Sequence, residues 1–165
     1  MTDLSNVLPI SEKDLAFLQG VDSPTISNAI EPFKVRDRTE GFIGGEVRAL
    51  FPEMRPMIGV ALTVTMTNTP GATAGRDTYW RMYEALSHMP APSVLVVQDI
   101  SGAPSRCALA GEVMTTMAMR VGAVGMVTDG ACVTCTKCAD SSLGTSPAMS
   151  SSPMATSEWS TSANR

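Results

Sequence analysis

Residues Leu109–Gly130 leave this chain few ways to fold. From Glu112 to Val121 the sequence predicts a helix, because Met114, Met117, Ala118 and Val121 recur at the spacing that lines one helical face with apolar side chains. Gly122 stands where a helix end wants a residue tolerant of left-handed backbone angles. Val124–Thr128 is a short apolar run suited to a strand covered on both faces, and Asp129-Gly130 is a turn signal at its carboxyl end. Helix, tight turn and buried strand make half of a βαβ unit, so the fold class is α/β with a largely parallel core sheet. Ligands of such sheets sit beyond the carboxyl ends of the strands, which makes Asp129 a candidate site residue.

The start of the same helix is the second candidate. Gly111, Glu112, Val113 and Met114 open it, after the small residues Ala108 and Ala110. Backbone N–H groups without intrahelical partners, at the positive end of the helix dipole, can seat a carboxylate or a phosphate. The same residues also make an ordinary helix start, with Glu112 favourably placed against the dipole.

The remaining elements follow in order. Ser11–Gly20 predicts a short helix with Ser11 as its N-cap, and Asp22-Ser23-Pro24 opens another that Pro32 ends. Residues 33–57, with Pro, Gly and scattered charges, predict an irregular surface arm. Ile58–Thr67 and Ser93–Val97 are β-branched or aliphatic runs expected to be strands. Between them Arg76–His88 is expected to be a helix with Tyr79, Tyr83 and Leu86 on one side, and Cys107–Val121 is read as a continuous helix. The length of 165 residues suffices for one domain with a real core. A net charge of −4 without a basic block argues against nucleic acid as partner. Neither a signal peptide nor a membrane span is recognisable, so the expected location is cytoplasmic.

Composition changes abruptly after Ala131. Fourteen of the last 34 residues are Ser or Thr, too little aliphatic surface to offset the entropy of ordering. The expected organisation is therefore an incomplete domain over 1–131 and a disordered tail over 132–165, the domain being truncated on its C-terminal side. Cys132, Cys135 and Cys138 form a C-x2-C-x2-C pattern, but a closed metal site wants a fourth ligand and no cysteine follows. His88, the only histidine, stands at a helix end before Pro90 and fits a capping role. Arg106, just upstream of Gly111, fits either a site or a surface ion pair.

Several phrases resemble the family of regulator of ribonuclease E activity A (RraA) and 4-hydroxy-4-methyl-2-oxoglutarate aldolase. These are Ser27-Asn28-Ala29-Ile30, Glu40-Gly41-Phe42, Arg48-Ala49-Leu50-Phe51-Pro52 with Met57-Ile58-Gly59, Ala108–Met114 and, most specific, Gly122–Ala131. The resemblance implies a swivelling β/β/α domain assembled as homotrimers or hexamers with sites at subunit contacts. It also implies that Gly111, Glu112, Val113 and Met114 hold the carboxylate of a small 2-oxo acid. The implied chemistry is carbon–carbon cleavage that yields pyruvate, as in aldol cleavage or oxaloacetate decarboxylation. There a divalent cation, Mg or Mn, chelates the keto acid and stabilises its enolate. Some members of the family instead inhibit ribonuclease E by binding it, without catalysis.

The chain departs from this pattern at the decisive place. Val-Arg-Asp, whose arginine and aspartate bind substrate and metal in the family, should follow Ala131; Cys132-Val133-Thr134 stands there. Asp129 is the remaining carboxylate in the phrase, and no metal ligand is assigned. Read one base out of frame from inside codon 131, the codons permit Val-Arg-Asp-Leu-His-Glu-Val-Arg-Gly-Leu. Those of residues 148–157 permit Asp-Val-Val-Val-Ser-His-Gly-Asn-Val. A single-base deletion near codon 131 is therefore expected. It makes the three cysteines products of the frame and leaves this chain impaired or inactive.

Overall fold

The structure is a computed structural model that describes residues 11–45, 47–52, 54–72, 74–75 and 77–132, and the backbone of 148–151. Two short helices come first. Helix α1 (Glu12–Leu18) is capped by Ser11, whose hydroxyl accepts from the Asp14 amide at 3.1 Å. In α2 (Ser23–Ile30) the Asp22 carboxylate does the same for the Thr25 amide at 2.7 Å. Both are the capping arrangement that Ser and Asp favour. A 3₁₀ turn at Glu31–Phe33 leads into the irregular arm, which contains the two-residue strand β1 (Arg48–Ala49).

The core alternates strand and helix as expected: β2 (Val60–Met66), α3 (Asp77–Ser87), β3 (Ser93–Asp99), β4 (Ala108–Ala110), α4 (Glu112–Arg120), β5 (Ala123–Thr128) and β6 (Ala131–Cys132). A last strand, β7 (Ala148–Ser151), completes a five-stranded sheet of order β1-β7-β5-β3-β2. The pairs β2–β3, β3–β5 and β5–β7 are parallel, and β1 runs antiparallel to β7 at the edge. Strands β4 and β6 form a separate parallel pair.

Alternation along the strands decides what is buried. Leu62, Val64 and Met66 of β2, Leu95 and Val97 of β3 and Met126 of β5 meet Met82, Tyr83 and Leu86 of α3 and Ala118 of α4 in one core. Met114, Met117 and Val121 pack on it, so the apolar stripe expected on this helix is the one used. Gly122 ends α4 at φ 108°, where a side chain is strained, and its amide donates to Met119 O. On the opposite sheet face Ala61, Thr63 and Thr65 are exposed and border a groove of ≈1150 Å³ and a smaller cleft of ≈400 Å³.

Three expectations need correction. Cys107–Val121 is not one helix, because Ala108–Ala110 form β4 and the helix begins only at Glu112. Ala and Leu are good helix formers, but pairing with a strand more than 20 residues away overrides that local preference. In α3 the inner side is Met82, Tyr83 and Leu86, whereas Tyr79 is exposed. Finally, the arm expected to be irregular over 33–57 holds, among its described residues, the end of the 3₁₀ turn at Phe33 and the strand β1. Of the expected disordered tail, Cys132 and the backbone of 148–151 are described; Cys135, Cys138 and the other tail residues lie outside the described residues.

Candidate functional site

The parallel strands β2, β3 and β5 end together at Met66, Asp99 and Thr128, and the site residues gather around those ends. Two limbs meet there. The first is β4 running into α4. Gly111, the N-cap, is extended and offers no side-chain cap, and the first intrahelical bond is Thr115 N–H to Gly111 O at 3.0 Å. The amides of Val113 and Met114, which precede that bond, have no hydrogen-bond partner among the described residues. Glu112 is exposed, Val113 is 77% exposed and Met114 is half-buried against the core. Thr115 is buried, and its hydroxyl donates to Gly111 O and Glu112 O, both at 3.0 Å, which firms the first turn.

The second limb is the turn from β5 to β6. The Gly130 amide donates to Thr128 Oγ1 at 3.1 Å, and half-buried Asp129 accepts the Asp99 amide at 2.8 Å on Oδ1. Gly130 is required by contact rather than by backbone angle. A Cβ there would lie 2.6 Å from Leu109 Cγ and 2.9 Å from Cys107 O. The limbs are zipped by Ala131 N–H to Cys107 O at 2.7 Å and by the register that sets Ala110 against Cys132. Gly111 thus follows a residue paired with Cys132, and position 133, where the family pattern has its arginine, is next in the chain.

Asp99, Ser101 and Cys107 belong to the site and are not evident from the sequence reading. Asp99 closes β3 and is buried; Ser101 Oγ donates to its Oδ2 at 2.6 Å and Cys107 Sγ to its Oδ1 at 3.3 Å. The Ser101 hydroxyl foremost holds this carboxyl below the usual range, with smaller help from Cys107 and against the effect of burial. It is therefore ionised at neutral pH. The rule that marks Asp129 by its place at a strand's carboxyl end marks Asp99 equally.

Other sequence candidates fall away from this place or stay peripheral. His88 is exposed and its Nδ1 lies 2.7 Å from Glu84 O, at the end of α3, as a cap. Arg106 is exposed at the end of the 3₁₀ turn Pro104–Arg106, in the loop that feeds β4. Cys132 is buried. A divalent cation does not fit the residues described. Among the described residues no group of three His, Cys, Asp or Glu side chains is placed to hold one. What the arrangement offers is a pair of amide donors at the open end of a nine-residue helix, a seat for a carboxylate.

A mixed α/β domain with parallel strands and the open end of a helix near their carboxyl ends is the class that the fold defines. The sequence profile of the RraA-like family (Aldolase/RraA) matches residues 14–158, and the chain belongs to that family. The boundary drawn after Ala131 from composition falls inside the matched span. Among solved structures, one described as a novel cellulase from microbes associated with the gut ecosystem superposes with TM-score 0.69 at 18% identity. That superposition covers 90% of this chain and 61% of that one. Streptomyces coelicolor RraAS2, described as an unusual member of the RNase ES inhibitor RraA protein family, superposes with TM-score 0.54 at 20% identity, covering 92% of this chain and 69% of that one. At these identities the two share its fold. No curated protein matches the sequence. No helix among the described residues is long and apolar enough to cross a membrane.

Proposed function

We propose that the amides of Val113 and Met114 seat the carboxylate of a small 2-oxo acid. This is the binding half of a divalent-metal-dependent lyase that releases pyruvate, of the 4-hydroxy-4-methyl-2-oxoglutarate aldolase or oxaloacetate decarboxylase type. The observation that supports this reading is the zipped pair β4–β6: the unpartnered amides follow three and four residues after Ala110, and the family's arginine position follows one residue after its partner Cys132. Preorganised amides lose no orientation energy when an oxyanion arrives, and a hydrogen bond to a charged group contributes about 1.5–3 kcal/mol. In the same reading Mg or Mn is a cofactor of the intact sequence, and the working form is a cytoplasmic homotrimer or hexamer. The second reading, a non-catalytic regulator that binds a ribonuclease, is favoured by the missing Arg-Asp pair and by the likeness to RraAS2.

Oxalate, a planar analogue of the pyruvate enolate, is the probe for the seat. Titrated calorimetrically into the full chain, it is expected to bind and to be displaced by pyruvate. Val113→Pro removes one donor while keeping a helix, since α2 already carries Pro24 in its first turn. Its affinity for oxalate should fall about tenfold or more, the scale of one lost charged hydrogen bond. Equal affinity in wild type and Val113→Pro would refute the seat. No oxalate binding together with saturable binding to ribonuclease E would give the site to the regulator reading.

A further inference from the structure

We infer that Asp99 is the positioning residue of this site: its carboxylate and its amide join the strand ends from which both limbs hang. The inference rests on the carboxylate-seat reading for its meaning. Its geometry stands apart from that reading.

Asp99 is 7% exposed, and a buried carboxylate persists only when donors satisfy it. Its donors come from the loop that carries the chain out to β4. Ser101 Oγ is 2.6 Å from Oδ2, and Cys107 Sγ is 3.3 Å from Oδ1. Cys107 is 1% exposed and is the residue before β4, so the thiol contact fixes where that strand begins. The Cys107 amide is itself held by Pro104 O at 3.0 Å, and its carbonyl receives the Ala131 amide at 2.7 Å. In the other direction the Asp99 amide donates to Asp129 Oδ1 at 2.8 Å. One residue therefore pins the first limb through Cys107 and the second through Asp129. The absence of room beside Gly130, against Leu109 and Cys107 O, passes any shift of one limb to the other.

The chemistry also explains why an aspartate suits the position. Both side chains that face the carboxylate are donors, a hydroxyl and a thiol. An asparagine would keep one carbonyl acceptor and turn its NH₂ toward the other side chain, so both contacts lose their charge and one must reverse its direction. Serine in place of Cys107 keeps a donor for Oδ1, whereas alanine removes it.

The test is hydrogen exchange by mass spectrometry on the full chain, with oxalate titration alongside. Asp99→Asn and Cys107→Ala are each expected to raise exchange about tenfold in 108–114 and in 129–132, as loss of one buried charged hydrogen bond would. Val60–Met66 and Asp77–Ser87 should keep wild-type protection, which separates positioning from general destabilisation. Cys107→Ser should restore most of the protection and most of the oxalate affinity lost in Cys107→Ala. Should Asp99→Asn prove too unstable to purify, the Cys107 pair decides by the same pattern. Uniform loosening of the whole chain, unchanged exchange in both limbs, or a Cys107→Ser variant as loose as Cys107→Ala would each overturn the inference. A wild-type chain that binds no oxalate, while the exchange pattern holds, removes the seat and leaves Asp99 as the clamp of the two limbs.

Discussion

A chain in which one base is restored inside codon 131 is expected to release pyruvate from oxaloacetate and from 4-hydroxy-4-methyl-2-oxoglutarate with Mg or Mn. Its rate should exceed that of the present chain by about 10²–10³ or more, the usual cost of removing a group that acts on the transition state. The present chain keeps the amides of Val113 and Met114 and the contacts at Asp99 on which the proposed seat depends. It has Cys132-Val133-Thr134 where the family pattern has Val-Arg-Asp, and its described residues offer no three-ligand set for a cation. The strand β7 bears on the proposed frame. Its backbone pairs with β5 on one side and β1 on the other, an interior position that sheets fill with β-branched residues. Ala148-Met149-Ser150-Ser151 is poor material for it, and the shifted codons there permit three consecutive valines. Pyruvate release is assayed with metal and then with excess chelator. Chelator-sensitive turnover by the restored chain alone is the expected outcome. A folded, metal-loaded restored chain that is inert on both substrates would contradict it, as would equal turnover by the present chain.

Leu95→Ala is expected to remove about 2–5 kcal/mol of stability, the cost of truncating a fully buried leucine that leaves a cavity. Leu95 is 0% exposed, on the interior strand β3, with Leu62 and Met126 opposite it on the two neighbouring strands. Its side chain belongs to the core that Leu86 and Ala118 close from the helix side. Domains of this size carry only about 5–15 kcal/mol in total, so this one change takes a large share. In urea denaturation of the full chain the midpoint should fall with an unchanged slope. Thr63→Ala, on the exposed face of the adjacent strand, should stay within about 0.5 kcal/mol of wild type. A Leu95→Ala midpoint equal to that of Thr63→Ala would show that the core does not sit where β3 and α3 meet.

Local signals made much of this fold legible. The stripe Met114, Met117, Ala118 and Val121, the stop at Gly122 and the apolar run into Asp129 each act over a few residues, and each appears as expected. The caps at Ser11 and Asp22 are local in the same way. Strand β4 is not, because Ala108-Leu109-Ala110 looks helical until Ala131 and Cys132 arrive beside it. The clamp at Asp99 spans 2, 8 and 30 residues to Ser101, Cys107 and Asp129, and only the parallel order of β3 and β5 brings the last of these near. Of the candidate site, Gly111–Met114 and Asp129 could be named from their places at element ends. Their juxtaposition depends on the β4–β6 register, which no stretch of sequence announces.

The most direct measurement is a nitrogen–proton NMR titration of the full chain with oxalate, following every assigned amide. The expected result is that Val113 and Met114 shift most, with smaller changes at Gly111 and Gly130, and that pyruvate added in excess reverses them. Shifts centred instead on Thr63, Thr65 and Gln98, which line the cleft on the opposite sheet face, would contradict the account, because the anion would then bind away from the helix terminus.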